Sequence, residues 1–142
     1  MKRVLLHVED DPNDALLVQL ACKKLDLSAQ LRAVDDGDKA MAYLSNRPPF
    51  EDKGLYPLPG FILLDIKLPG SSGFEVLSWI RSRPESRYVP VILLSSSTQP
   101  EDIRKAYDLG ANSFMAKPSS LEGIVEMVRI AHKYWAGYNQ IL

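Results

Sequence analysis

The sequence predicts an α/β fold: a parallel sheet of five strands covered by helices on both faces. Three observations carry it. Apolar runs without alternation, such as Phe61-Ile62-Leu63-Leu64, read as strands buried on both sides. Amphipathic segments separate these runs, as crossover helices between parallel strands do. Ser/Thr-x-x-Glu capping boxes open the third, fourth and fifth of those segments: Ser72 with Glu75, Thr98 with Glu101, Ser119 with Glu122.

The elements follow in order. Val4 to Val8 is a strand run, and Pro12 opens a helix with Leu16, Leu17, Leu20, Ala21 and Leu25 on one side. Asp11, directly before Pro12, suits the N-cap. Leu31 to Val34 is the second strand; Asp36-Gly37 turns the chain into a short helix marked by Ala40, Met41 and Leu44. Residues 46–60 hold Pro48, Pro49, Pro57 and Pro59, which no regular helix or central strand accommodates, so they form a stiffened loop. Phe61 to Leu64 is the third strand, with a helix from Ser72. Val89 to Leu94 is the fourth, with a helix from Thr98 that stops at Gly110. Ser113 to Ala116 is the fifth, and the last helix runs from Ser119 to about Trp135.

At 142 residues the chain fits one domain, 1–142, with a core over about 2–135 and a short tail, 136–142. A composition of 46% hydrophobic residues supports a packed core. A net charge of −1 gives no electrostatic case for nucleic acid or an anionic membrane. The basic N-terminus is broken by Glu9-Asp10-Asp11 too early for a signal peptide, so a cytoplasmic setting is expected. Cys22 is the sole cysteine and reads as a buried structural thiol. His7 reads as a core residue, not a ligand.

Ligands of open parallel sheets bind at the carboxyl ends of the strands. There the sequence places Glu9, Asp10 and Asp11 after the first strand, Asp65 after the third, Ser95, Ser96 and Ser97 after the fourth, and Lys117 after the fifth. Clustered carboxylates need a cation, and hard oxygen donors without His or Cys suit Mg²⁺. An aspartate can itself attack phosphorus, while a lysine and a hydroxyl hold the phosphate oxygens.

Val8-Glu9-Asp10-Asp11-Pro12, Leu64-Asp65-Ile66-Lys67-Leu68-Pro69-Gly70, Ser95-Ser96 and Lys117-Pro118, in this order and spacing, resemble the receiver domain of response regulators, the CheY-like module of two-component signalling. The resemblance covers about 2–135. It implies a flavodoxin-like (βα)5 doubly wound sheet in strand order 2-1-3-4-5, and roles for single residues. Asp65 is then the phosphoacceptor, assisted by Lys117 and Ser95. Glu9 and Asp10 join Asp65 and the Lys67 carbonyl around Mg²⁺. Ser95 and Phe114 are the switch pair, Phe114 lacking the hydroxyl of the family's commoner Tyr. The Lys117-Pro118 bond is expected to be cis. The chain is then a phosphoaccepting regulator and not an enzyme, its donor a sensor histidine kinase.

The proline loop, Ala106-Tyr107-Asp108-Leu109 and Tyr134-Trp135 resemble stand-alone regulators of the phytochrome-associated (Rcp) type, which implies a light-sensing kinase. Tyr107, Met127, Ile130 and Tyr134, extended by Tyr138, Ile141 and Leu142, mark a partner face on the fourth helix, fifth strand and fifth helix, open to a homodimer or a downstream protein target. Two other readings stand beside this one: a receiver-like scaffold that is never phosphorylated, and an aspartate-nucleophile phosphatase. The phosphatase chemistry wants a second Asp two residues after the first, where Lys67 stands.

Overall fold

The computed structural model describes residues 3–141; Met1, Lys2 and Leu142, with the readings placed on them, lie outside the described residues. The strands are β1 (Leu5–Val8), β2 (Leu31–Val34), β3 (Phe61–Asp65), β4 (Val91–Ser95) and β5 (Ser113–Ala116). They pair in parallel in the order β2-β1-β3-β4-β5. Between them run α1 (Pro12–Lys24), α2 (Gly37–Leu44), α3 (Gly73–Ser82) and α4 (Pro100–Asp108), and α5 (Leu121–Ala131) closes the series.

Alternation along the three central strands builds two apolar layers, because successive side chains leave a strand on opposite sides. Leu6, Val8, Ile62, Leu64, Val91 and Leu93 pack against α2, α3 and α4 through Ala40, Tyr43, Phe74, Leu77, Ile80 and Ala106. Leu5, Phe61, Leu63, Ile92 and Leu94 pack against α1 and α5 through Val18, Ala21, Cys22, Ile124, Val128 and Ala131. Both layers being covered explains why these strands carry no polar alternation.

Helix starts follow the caps. Asp11 caps α1, its side chain accepting from the amides of Asn13 and Asp14. Ser72 and Glu75 form a reciprocal capping box on α3. The other two expected boxes do not form. Pro100, with its fixed φ, takes the first position of α4 and leaves Gln99 at the N-cap, so Thr98 lies too far upstream. At α5 the cap is Ser120, not Ser119; its hydroxyl accepts from the Gly123 amide.

Three further expectations are corrected. In α1 the buried stripe is Val18, Ala21 and Cys22, with Leu17 and Leu25 packed beside it, and Leu16 and Leu20 face outward. That stripe, at i, i+3, i+4 and i+7, is the one turned to the sheet. Met127, expected on the partner face, is 4% exposed: it lies on the same stripe as Ile124 and Ala131 and belongs to the core. The last helix does not end near Trp135. Beyond Ala131 it widens into a π-helical segment, His132–Tyr138, closed by the Asn139 amide on the Tyr134 carbonyl, so part of the 136–142 tail is helical.

The 46–60 loop contains no helix or strand. Its stiffness comes from an inward aromatic trio as well as from proline. The Phe50 and Tyr56 rings stack edge-on 5.1 Å apart against Tyr43, whose hydroxyl donates to the Pro57 carbonyl at 2.9 Å. Asn46 donates to the carbonyls of Phe50 and Tyr56, and Arg32 to that of Leu55.

Candidate functional site

The register of the sheet brings the carboxyl ends of β1 and β3 side by side: Val8 pairs with Leu64, which sets Glu9 beside Asp65. The turn after β3 is set by Gly73, whose amide donates to the Ile66 carbonyl. A Cβ at Gly73 would stand 2.2 Å from the Asp65 carbonyl oxygen, so only glycine lets α3 begin this close to the strand end. On the far side, the Lys117 amide donates to the Ser95 carbonyl, aligning the end of β5 with that of β4.

Lys117 is the hub. Its ammonium lies 2.7 Å from Glu9 Oε1, 2.9 Å from Asp65 Oδ2 and 3.0 Å from Asp14 Oδ2. Glu9 and Asp65 are buried, while Asp10 is exposed beside them. Oxygens of Glu9, Asp10 and Asp65 lie within 4.8 Å of one another. An octahedral hard cation spaces its ligand oxygens by roughly 3–4 Å, so small movements let these three share one ion. An all-carboxylate donor set without His or Cys fits a divalent oxygen-seeking metal.

The environment perturbs the charged groups. Burial, followed by the nearby Asp65 carboxylate, pushes Glu9 up to about 7, against the opposing pull of Lys117. The three carboxylates raise Lys117 above the ordinary lysine value despite its burial, so it stays an ammonium. Burial, then the charge of Lys117, lowers His7 to about 4, and it remains a neutral core residue.

The expected residues do not all converge. Glu9, Asp10, Asp65 and Lys117 do. The Lys67 amide donates to Asp65 Oδ1 at 3.2 Å. The buried Ser95 hydroxyl accepts from the Ser97 amide at 3.0 Å and so is committed to its own loop. Phe114 is half-buried against the α2–α4 layer, opposite Leu93 in the sheet. Contrary to expectation the Lys117-Pro118 bond is not cis; among the described residues the cis bond is Pro48-Pro49. The sequence reading missed Asp14. Its signal was present: four residues after Asp10, in the first turn of a helix opened by Pro12.

A parallel sheet with acids, a hydroxyl and a lysine at its strand ends places this chain among doubly wound proteins with a carboxyl-edge site suited to phosphoryl chemistry. Comparison with known proteins agrees. The family model of the response regulator receiver domain matches residues 5–129. The probable methanogenesis regulatory protein FilR2 of Methanothrix harundinacea is 35% identical over 137 residues, 96% of this chain and 86% of its own. The response regulator Rcp1 of Synechocystis is 34% identical over 94% of this chain and 88% of its own; its Mn²⁺-bound crystal structure superposes with a TM-score of 0.84 over 99% of both chains. The phosphorylated cyanobacterial phytochrome response regulator RcpA superposes with a TM-score of 0.88 at 31% identity, over 99% of this chain and 98% of its own. The chain belongs to the receiver-domain family and is a response regulator of a two-component phosphorelay. Its acidic cluster is consistent with a divalent-cation site, and its partner is of the histidine kinase kind. No helix among the described residues is long and apolar enough to cross a membrane.

Proposed function

We propose that Asp65 accepts the phosphoryl group from a phosphohistidine of its kinase, and that this receiver domain signals through protein contacts. The Lys117 ammonium 2.9 Å from the buried Asp65 carboxylate, within the acidic triad, carries the reading. An Asp65 oxygen bonds to phosphorus as the phosphorus–nitrogen bond to the donor breaks, and the imidazole leaves with the electron pair. When bound, Mg²⁺ would supply positive charge to the phosphoryl oxygens, and Glu9, Asp10, Asp65 and the Lys67 carbonyl would hold it. Lys117 offsets the charge on another phosphoryl oxygen. Ser95 gives up the Ser97 amide to meet the group, and Phe114 reorients with it. The protein acts on its own carboxylate and not on an external substrate, in the cytoplasm.

Treatment with acetyl phosphate and Mg²⁺ tests this. Wild type gains a phosphoryl mass increment and Asp65→Asn gains none. No increment on wild type favours the unphosphorylated scaffold; turnover of a phosphate ester favours the phosphatase.

RcpA is described as a phytochrome response regulator, which supports a phytochrome-type kinase as donor here. Tyr107, Ile130 and Tyr134, each at least half exposed, support a homodimer or target contact on α4, β5 and α5, biased by phosphorylation. Sedimentation of Tyr107→Ala/Tyr134→Ala at high protein concentration is expected to give a monomer mass where phosphorylated wild type gives a dimer. An equal mass for the two rejects the dimer.

A further inference from the structure

We propose that Asp14 is a positioning residue for phosphoryl transfer: it anchors the Lys117 ammonium while Glu9 and Asp65 turn to the metal ion. The inference deepens the phosphoacceptor reading above and rests on it.

A lysine ammonium has three N–H donors. In the resting site all three are spent on carboxylates, those of Glu9, Asp14 and Asp65. Two of these acceptors, Glu9 and Asp65, also belong to the oxygen triad fit for a divalent cation, and Asp14 does not. A cation seated in the triad draws on the same two carboxylates that now hold the lysine and competes with it for their charge, so both bonds weaken when the site is loaded. Asp14 is the acceptor outside that competition.

Its placement suits an anchor. Asp14 sits in the first turn of α1, where Pro12 opens the helix and the Asp11 side chain takes the Asp14 amide at 3.2 Å. That turn is therefore fixed, and the positive end of the helix dipole favours a carboxylate there. The Asp14–Lys117 contact joins the first helix to the end of β5 across 103 residues of sequence. A cation tethered on one side still has two N–H groups for arriving phosphoryl oxygens. Untethered, it is a flexible stem whose head sweeps a volume, and misplacement of a transfer group by about 1 Å costs up to about a hundredfold in rate.

The test compares wild type, Asp14→Asn and Asp14→Glu. Phosphorylation is followed by mass with acetyl phosphate at saturating Mg²⁺, and the Lys117 ammonium by nitrogen NMR in the Mg²⁺-loaded protein. Asp14→Asn is expected to react about tenfold more slowly per folded molecule and to lose the slowly exchanging Lys117 ammonium signal that wild type keeps. Asp14→Glu, which retains the charge, recovers part of the rate and the signal. A merely structural Asp14 would lower the unfolding temperature and leave both readouts unchanged. An Asp14→Asn protein with the wild-type rate, or one that is slow yet keeps the ammonium signal, overturns the inference. If wild type itself gains no phosphoryl group, the phosphoacceptor reading fails and this one falls with it.

Discussion

Lys117→Met is expected to cost about 3 kcal/mol of folding stability at pH 8 with divalent cations chelated, because removing one partner of a buried ion pair leaves the other charge uncompensated. Glu9 and Asp65 are buried and their ammonium is lost, while the part-exposed Asp14 adds little to the penalty. Two treatments restore the loss. Acid does so by protonation. Glu9 already binds its proton more tightly folded than unfolded, at about 7 against an ordinary 4.5. The folded state therefore holds more protons than the unfolded one between those values, and Glu9 disfavours folding increasingly as pH rises through that window. Without Lys117 the window extends upward, so the variant's deficit against wild type shrinks as pH falls from 8 toward 5. The second treatment is Mg²⁺, which supplies the missing positive charge and stabilises by mass action. Urea unfolding at several pH values, with and without Mg²⁺, checks both. A deficit independent of pH and of the metal would show that the loss is one of packing.

Arg81→Ala is expected to cost about 2–3 kcal/mol, far from the site and without effect on phosphorylation per folded molecule. The half-buried guanidinium donates to the carbonyls of Gly110, Arg87 and Val89 and to Asn112 Oδ1, at 2.7–3.2 Å. Asn112 Oδ1 in turn accepts from the Val91 amide at the start of β4. One side chain on α3 thus ties together the entry to β4 and the turn after α4. Gly110 there has φ of +100° and admits no ordinary residue without strain. Arg81→Lys keeps the charge but not the fork, and is expected to recover less than half of the loss. Urea midpoints of the three proteins decide it; a midpoint for Arg81→Ala equal to wild type would mean that water replaces all four bonds.

The pattern of charges explains what was legible in the sequence. Strand ends are short, apolar and bounded, so the residues immediately after them could be assigned to one edge, and Glu9, Asp10, Asp65 and Lys117 meet there. Asp14 lay beyond that logic, because it reaches the site from a helix face and not from a strand end. Helix faces were harder throughout. Leucines line two sides of α1, and only packing against the sheet selects the Val18, Ala21 and Cys22 stripe. Met127 carries the same periodicity as its exposed neighbour Ile130, and the rotation of α5 decides between them. Capping motifs are degenerate when serines adjoin or a proline follows, which is how Ser119 and Thr98 were displaced by Ser120 and Gln99. The rings of Phe50 and Tyr56 seat a loop whose prolines alone advertised it.

The saturated ammonium has a consequence at longer range. The whole chain carries a net charge of only −1, yet at this corner the carboxylates of Glu9, Asp10, Asp14 and Asp65 outnumber the single ammonium of Lys117. The resting molecule is thus nearly neutral from a distance, while more carboxylates than ammonium groups meet at the Lys117 corner of its sheet. Such a field falls off over about 8 Å in physiological salt. It guides a small cation through its last approach and opposes an incoming phosphate until that cation has arrived. For the phosphoacceptor proposed above, such a field favours metal before phosphodonor, a preference expected to weaken as ionic strength rises.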